Sequence, residues 1–177
     1  ASEDFEGKIF VVDSRSVAIG TGILVEEGLK LIEQGLSAEE VFNQLIAMRD
    51  KIQVCAVLDT LEYLKKGGRI SSAAAIAGGL LSIKPIICLK DGKLEMTGKA
   101  RGAKQAAASL LTAMDTLGVD ESKAMLLGYT GQTRGPLEKF IADNTARFGE
   151  NPPTAIVGSV IGAHAGPNAM AVAFFSI

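Results

Sequence analysis

The sequence predicts an α/β protein: a two-layer mixed β-sheet with helices mainly on one face, preceded by a remnant of a first α/β domain. Strand-like apolar runs alternate with helical patterns along the 177 residues, and two of these runs flank Asp91-Gly92, a dipeptide typical of a hairpin turn. Such a mixture of hairpin and strand–helix–strand units is typical of a mixed sheet. Hydrophobic residues make up 47% of the chain, which is enough for a substantial core.

The first part of the chain contains clear start and stop signals. The predicted elements are, in order, a strand over 8–13, a helix up to Gly35, a helix after Ser37, a strand over 53–58 and a helix over 61–66. Ser37 and Glu40 form a capping box, which predicts the start of the second helix. Asp59-Thr60 caps the third helix, and Gly67-Gly68 ends it.

The second part of the chain predicts a hairpin followed by alternating helices and strands. The predicted elements are, in order, a helix capped by Ser71 or Ser72, strands over 83–89 and 93–98, a helix over 102–117, a strand over 124–129, a helix over 137–148, and strands over 154–160 and 169–175. Pro136 marks the start of the helix over 137–148, because proline is favoured in the first helical turn.

The predicted elements divide the chain near residue 36. Residues 37–177 contain all the elements that the sheet requires. Residues 1–36 supply one strand and one helix, which are too few to form an independent sheet. We therefore expect residues 1–36 to be the end of a first domain and residues 37–177 to be a second domain.

Composition argues against several function classes. A net charge of −2 provides no basic face for nucleic acid. Cys55 and Cys88 lie in separate apolar stretches and are expected to be buried free thiols, as in a reducing cytoplasm. One histidine and two distant cysteines are too few ligands for a metal site. No apolar run reaches 18 residues and the first residues lack a secretion signal, so we expect a soluble cytoplasmic protein.

The single histidine, His164, lies in a glycine-rich stretch over 160–167. Gly162 and Gly166 allow the backbone to approach a ligand closely, and Pro167 fixes the direction in which the chain leaves. We expect a loop between two strands that is shaped around a ligand. The alternative is a structural histidine in a tight turn.

Arg69 is the second candidate binding residue. The double glycine before it places Arg69 outside regular structure and beside the start of the next predicted helix. Arginine together with free backbone amides can form an anion site. The alternative is an arginine at a helix C-terminus or in a surface ion pair.

Five separated motifs occur in a characteristic order over residues 8–177. They are Asp13-Ser14-Arg15-Ser16, the Leu-Asp-Thr-Leu-Glu-Tyr-Leu-x-x-Gly-Gly-Arg-Ile run over 58–70, Ile83-Lys84-Pro85, Lys99-Ala100-Arg101-Gly102 and Gly162-Ala163-His164-Ala165-Gly166-Pro167. In this order and spacing they resemble the DegV family of bacterial fatty-acid-binding proteins, which includes the FakB subunits of fatty acid kinase.

The resemblance implies a carrier with two α/β domains that enclose one long-chain fatty acid, rather than an enzyme, and it implies no cofactor. The carrier presents the carboxylate to a separate kinase subunit, which forms an acyl phosphate for phospholipid synthesis. The resemblance places His164, Arg69 and Gly162 at the fatty-acid head group and Arg101 at the surface that docks the kinase. Transient contact with a membrane surface fits the same role.

A lipid site agrees with general energetics. Each buried methylene contributes roughly 0.8 kcal/mol, so the tail supplies most of the affinity, whereas a buried carboxylate requires polar partners. Core packing accounts for each candidate tail residue equally well. The candidates are Ile70, Ile76, Leu80, Ile83, Ile86 and Phe174.

The chain departs from the family pattern in one respect. The Thr-Ser strand end and the Ser-Gly-Thr loop of the family's first domain, which supply hydroxyls to the carboxylate, are absent from the sequence. We therefore expect one wall of the tunnel to be missing unless a longer chain or another chain supplies that domain.

Two other functions remain open. A hydrolase or transferase would pair His164 as base with Ser71, Ser82 or Ser159 as nucleophile, although no Gly-x-Ser-x-Gly elbow occurs. A phosphotransfer domain related to dihydroxyacetone kinases would use the histidine for phosphate or substrate. The chain lacks a phosphate-binding loop and paired carboxylates for magnesium, which argues against nucleotide binding.

Overall fold

The computed structural model describes residues 9–70, 83–90 and 92–177. Within these ranges seven α-helices and six strands occur: α1 (Ile19–Glu33), α2 (Ala38–Met48), a 3₁₀ turn (Arg49–Lys51), β1 (Ile52–Val57), α3 (Glu62–Lys66), β2 (Ile83–Lys90), β3 (Lys93–Arg101), α4 (Gly102–Leu117), β4 (Leu126–Tyr129), α5 (Gly135–Ala142), α6 (Thr145–Phe148), β5 (Thr154–Ile156), α7 (Ser159–Ala165) and β6 (Met170–Phe175). None of these helices is long and apolar enough to span a bilayer. The helix predicted after Ser71 or Ser72, and Asp91, lie outside the described residues.

The six strands form one open sheet in the order β3-β2-β1-β6-β4-β5. Neighbouring strands are antiparallel, except that β4 and β5 are parallel. The predicted hairpin is present, with Lys90 paired to Lys93 and with Gly92 at φ +72°. The α/β class and the mixed sheet are therefore confirmed, and α4 has the bounds that the sequence predicts.

The sheet packs against different helices on its two faces. We call one side the α4 face, because Cys55, Ile86 and Phe174 on that side pack with α4 and α5 in the largest core cluster. The other side is the α1 face, where α1 packs over Ala173 and Phe175. Successive side chains of a strand point to opposite faces, so each strand contributes to both layers.

The capping box predicted at α2 is present, whereas the N-cap position of α3 is Leu61, which makes no side-chain cap bond, and Thr60 bonds an amide from one residue earlier. The Glu40 amide donates to Ser37 Oγ at 3.4 Å, and the Ser37 amide donates to Glu40 Oε2 at 2.8 Å. At α3 the Glu62 amide donates to Thr60 Oγ1 at 3.1 Å, and Gly68 follows the helix at φ +68°. These bonds satisfy amides that a helix start leaves unpaired.

Two predicted elements are wrong in the described residues. Residues 9–13 of the strand predicted over 8–13 have no regular secondary structure, because no described strand lies beside them to pair their backbone groups. The helix predicted over 137–148 divides into α5 and α6 at Asn144. The Asn144 side chain donates to the Phe140 carbonyl at 2.8 Å and so replaces a continuing helical bond.

The predicted loop around His164 is also wrong, because the residue lies on a helix. The strand predicted over 154–160 ends at Ile156, and α7 follows it. Gly158 is extended at the start of α7, and Gly166 ends it at φ +75°. Of the two glycines that suggest a loop, Gly162 therefore lies within a short helix and Gly166 ends it.

The expectation that Cys55 and Cys88 are free thiols is wrong. The antiparallel register of β1 and β2 sets Cys55 directly opposite Cys88, with a Cα–Cα distance of 4.1 Å, and a disulfide joins them. Sequence separation concealed this pairing, because the two residues are 33 positions apart and belong to strands without a direct turn between them. The disulfide lies in the core of the α4 face.

Glu27 is a buried carboxylate that ties α1 to the segment before β4. Its Oε1 accepts from Lys30 Nζ at 2.6 Å and from the Ala124 amide at 2.9 Å, and its Oε2 accepts from Lys123 Nζ at 3.4 Å. Burial by itself raises the pKa of the Glu27 carboxyl, but these hydrogen bonds and the two lysine charges outweigh it and hold the pKa below its usual value.

Glu27→Gln should lower the free energy of unfolding by about 1–3 kcal/mol at pH 7, because the buried amide and the lysines lose their anionic partner. The folded carboxyl has the lower pKa, so its stabilisation is present above about pH 4.5 and is lost as the pH falls. Urea unfolding of wild type and variant should be measured at pH 7 and near pH 3.5. The difference between their free energies of unfolding should be smaller at the lower pH. Glu33→Gln, at an exposed position on the same helix, is the control. A difference in free energy of unfolding between wild type and Glu27→Gln that does not change with pH would contradict this explanation.

Candidate functional site

A cavity of about 340 Å³ lies on the α1 face, between the start of α1 and the pair formed by α3 and α7. Strands β1, β2 and β6 supply its floor. Its lining is largely apolar and includes Val54, Ala56, Ile87, Leu94, Ile161 and Ala171. A cavity of this size lies at the lower end of the range for small-molecule sites.

Small side chains on the two central strands make room for this cavity. Ala56 of β1 and Ala171 of β6 are directly paired across the sheet and both line the cavity. On the opposite face the neighbouring pair, Cys55 and Val172, is fully buried in the α4-face core. The alternation of alanine with larger apolar residues over 169–175 was the signal in the sequence that could have located the cavity.

His164 and Arg69, the candidate head-group residues, both line this cavity. His164 lies in the last turn of α7 and is half-buried. Its Nδ1 is fully buried and has no hydrogen-bond partner among the described residues. Arg69 is exposed, and its Nη1 donates to the Gly67 carbonyl at 2.8 Å.

Helices α3 and α7 meet through two contacts that require glycine. A Cβ added at Gly67 would lie 2.0 Å from His164 Nδ1, so the ring rests directly against the Gly67 backbone. A Cβ added at Gly166 would lie 2.4 Å from Cδ2 of Tyr63. Both distances are far below any real Cβ contact, so a larger residue at either position would displace a ring.

The turn that follows α7 is held from two sides. On one side Thr130 Oγ1 donates to the Gly166 carbonyl at 2.5 Å and accepts from the Ala169 amide at 2.9 Å. On the other side Asn168, at φ +58°, donates from its side chain to Asp59 Oδ2 at 3.0 Å. Asp59 also pairs with Lys84 on β2. These bonds set the position of the α7 end, which carries His164.

The other predicted site residues lie in different places. Gly162 is half-buried in α7, and Arg101 is exposed where β3 meets α4. Of the tail candidates, Ile70 packs beside α3 and Ile83 is half-buried at the start of β2. Ile86 and Phe174 belong to the core of the α4 face, on the side of the sheet opposite His164. Ile76 and Leu80 lie outside the described residues.

A second cavity, of about 720 Å³, lies between α4 and the β2–β3 hairpin and has mixed chemistry. Ile86, Thr97, Ser109 and Thr112 line it, together with charged residues such as Glu95. It contains neither His164 nor Arg69. The α1-face cavity is therefore the one that combines an apolar lining with the two candidate head-group residues.

A metal site and a serine–histidine pair are two other arrangements that the sequence raises. No three histidine, cysteine or acidic side chains lie together in the described ranges as a metal site would need. Ser159 is exposed at the start of α7, and Nδ1 of His164 has no hydrogen-bond partner among the described residues. Ser71 and Ser82, the other candidate nucleophiles, lie outside the described residues.

Comparison with known proteins identifies relatives over the whole chain. A family model described as an uncharacterised protein of the DegV family matches residues 1–176. A DegV domain-containing protein of Caldanaerobacter subterraneus is 33% identical over 174 residues, which are 96% of this chain and 61% of that protein.

Two similar solved structures carry descriptions of fatty-acid binding. One, from Thermus thermophilus, is described as fatty acid binding of a DegV family protein; it is 30% identical with a TM-score of 0.80, over 99% of this chain and 64% of that one. The other is the fatty acid kinase B3 protein of Streptococcus pneumoniae loaded with linoleic acid, 25% identical with a TM-score of 0.82, over 99% of this chain and 63% of that one. The chain thus spans less than two thirds of the length of these relatives.

Thr130→Val should lower the free energy of unfolding by about 1–3 kcal/mol, because the buried Gly166 carbonyl and Ala169 amide lose their common partner while the side-chain volume is kept. Denaturant unfolding measures the change. Thr112→Val is the control, since that exposed hydroxyl donates to a carbonyl of its own helix. Equal losses in the two variants would mean that the Thr130 bonds do not hold the turn.

Proposed function

The chain belongs to the DegV family, and we propose that it forms the larger part of a fatty-acid carrier in which the α1-face cavity receives the acyl chain. His164 and Arg69 bind the carboxylate at the same cavity, with Gly162 beside them on α7. Solved relatives described as binding fatty acids support this ligand class. Since the chain spans 61% to 64% of the relatives' length, the remaining length would supply further walls.

The observation that carries this proposal is a polar pair beside an otherwise apolar cavity. Burying a carboxylate without partners is strongly unfavourable, so a site for a lipid acid needs donors or a cation at one end. Arg69 supplies a permanent cation, and His164 supplies a nitrogen that can donate. The apolar remainder of the cavity then contributes roughly 0.8 kcal/mol per buried methylene.

The tail-lining residues in this proposal come mainly from the floor of the cavity rather than from the sequence prediction. Val54, Ala56, Ile87 and Ala171 line the cavity that contains His164. Ile70 and Ile83 stay candidates at its margin, whereas Ile86 and Phe174 would meet an acyl chain only from the α4 face. Small floor residues suit a flexible chain, because they leave volume without polar atoms.

We also propose a kinase partner. The Streptococcus pneumoniae relative is named for a fatty acid kinase. In this proposal the chain presents the carboxylate to a separate kinase subunit in the cytoplasm, where ATP is available. The carrier itself would catalyse no step and need no cofactor. Transient contact with a membrane surface would let it exchange its lipid. Arg101, exposed at the β3–α4 junction, is the proposed docking residue.

Residues 1–36 are proposed to be the end of a preceding domain. α1 packs its inner side against the sheet but exposes Val25, Leu29 and Ile32, each 55% to 58% exposed, one or two turns apart on its outer side. Such an aliphatic stripe is typical of a surface that packs against more protein. The additional length of the family members would cover it.

Organic extraction and mass spectrometry should recover about one fatty acid per molecule from the chain extended to the relatives' full length. His164→Ala in that protein should weaken fatty-acid binding by about tenfold or more, because one head-group donor is lost. Titration with a fluorescent fatty acid measures the affinity. Absence of any bound or binding fatty acid in the wild type would refute the carrier function.

Ser159→Ala is the matched control on the same helix and should bind as the wild type does. It also separates a carrier from a Ser/His hydrolase, which would turn over esters and lose that turnover in both variants. Equal affinity of His164→Ala and wild type would refute the head-group role of His164.

Arg101→Ala should leave fatty-acid affinity unchanged and reduce acyl-phosphate formation with a fatty acid kinase by about tenfold, because a docking cation is lost outside the cavity. Kinase assays at saturating fatty acid measure the effect. Lys139→Ala on α5 is the charge-matched control and should phosphorylate normally. Loss of fatty-acid binding in Arg101→Ala would make this residue structural.

A further inference from the structure

Gly67 contacts both candidate head-group residues. Its Cα lies against the imidazole edge of His164, and its carbonyl accepts a hydrogen bond from Arg69 Nη1 at 2.8 Å. The neighbouring Gly68 has no such contacts, since a Cβ there would meet nothing within 4 Å. One backbone position therefore sets the distance between an imidazole from α7 and a guanidinium from the end of α3.

The two glycines of this pair are needed for different reasons. Gly68 has φ +68°, a left-handed conformation that favours glycine. Gly67 has φ −77° and ψ −3°, which any residue adopts, so its backbone conformation does not require glycine. Glycine is required at Gly67 because Nδ1 of the His164 ring lies 2.0 Å from the position that a Cβ would occupy.

The same contact distinguishes the two nitrogens of the ring. Nδ1 faces Gly67, is buried, and has no hydrogen-bond partner among the described residues. A buried N–H without an acceptor is costly, so the ring proton is favoured on the other nitrogen. Nε2–H then points away from the Gly67 contact as a hydrogen-bond donor.

We propose that Gly67 is a positioning residue that seats His164 by its Nδ1 edge and holds Arg69 by its carbonyl, so that Nε2–H and the guanidinium together select an anionic acceptor head group. This inference rests on the proposed function for the identity of the ligand as a fatty acid. Both groups are donors. A carboxylate offers them two oxygens and a negative charge that complements the guanidinium, whereas a fatty alcohol offers one neutral oxygen and leaves the positive charge uncompensated.

The single histidine allows a direct test in the 177-residue chain without ligand. Two-bond ¹H–¹⁵N correlation spectra of the one imidazole should show the tautomer protonated at Nε2 in the wild type. Gly67→Ala should replace that pattern by an averaged mixture of tautomers, because the added Cβ displaces the ring. Gly68→Asn is the control: asparagine tolerates the left-handed conformation, its side chain enters open space, and the wild-type pattern should persist. A wild-type ring protonated at Nδ1, or a Gly67→Ala spectrum like the wild type, would overturn the proposal.

A second comparison separates positioning from loss of folding. Gly67→Ala should lower the urea midpoint in the wild-type background but have little effect in a His164→Ala background, where the ring that it meets is gone. An equal shift in both backgrounds would mean that Gly67 acts independently of His164. This arm needs no bound ligand, so it remains decisive even if the chain binds no lipid.

Ligand selection is measured in the chain extended to the relatives' full length. A fatty acid should bind about tenfold or more tightly than the alcohol of the same length, and Gly67→Ala should reduce that preference while Gly68→Asn preserves it. Equal binding of acid and alcohol by the wild type would overturn the selection. If the protein binds neither the acid nor the alcohol but the imidazole spectra are as expected, the proposed function is refuted, whereas the positioning of His164 by Gly67 is upheld.

Discussion

The antiparallel pairing of β1 with β6 is the constraint on which the rest of the site depends. Ala56 opposes Ala171 on one face, and Cys55 opposes Val172 on the other. Side chains alternate between the two faces of the sheet. A shift of the β1–β6 register by one residue would therefore fill the cavity with larger side chains and move the alanines into the core of the opposite face. The register therefore decides which face is filled and which face stays open.

The same pairing brings the two candidate head-group residues together. Val57 at the end of β1 pairs with Met170 at the start of β6, so the chain that leaves β1 and the chain that enters β6 lie side by side. The leaving chain forms α3 and then reaches Arg69, and the entering chain arrives from α7 with His164. Residues 95 positions apart in sequence thus meet at one cavity, and the glycine contacts between α3 and α7 fix their distance.

The sequence predicted the parts of this arrangement that local signals determine. The capping box at Ser37, the hairpin beside Gly92 and the bounds of α4 follow from propensity and turn chemistry. The placement of His164 and Arg69 at one cavity followed from the motif resemblance rather than from periodicity. The tail candidates Ile86 and Phe174 illustrate the limit, because hydrophobicity alone does not say which face of a strand packs against α4.

The features that the sequence did not predict depend on contacts between distant segments. The Cys55–Cys88 disulfide requires the register of two strands that are not joined by a turn. The α7 helix was not predicted because Gly162 and Gly166 favour a loop, whereas in the structure Gly162 lies within the helix and Gly166 ends it. The central claim is that the acyl chain lies on the α1 face, and a fatty acid with a ¹³C-labelled tail locates it directly. Isotope-filtered NOEs from the tail to the methyl groups of Ala56 and Ala171 are expected; NOEs to Ile86 and Thr97 in the α4-face cavity instead would contradict the account.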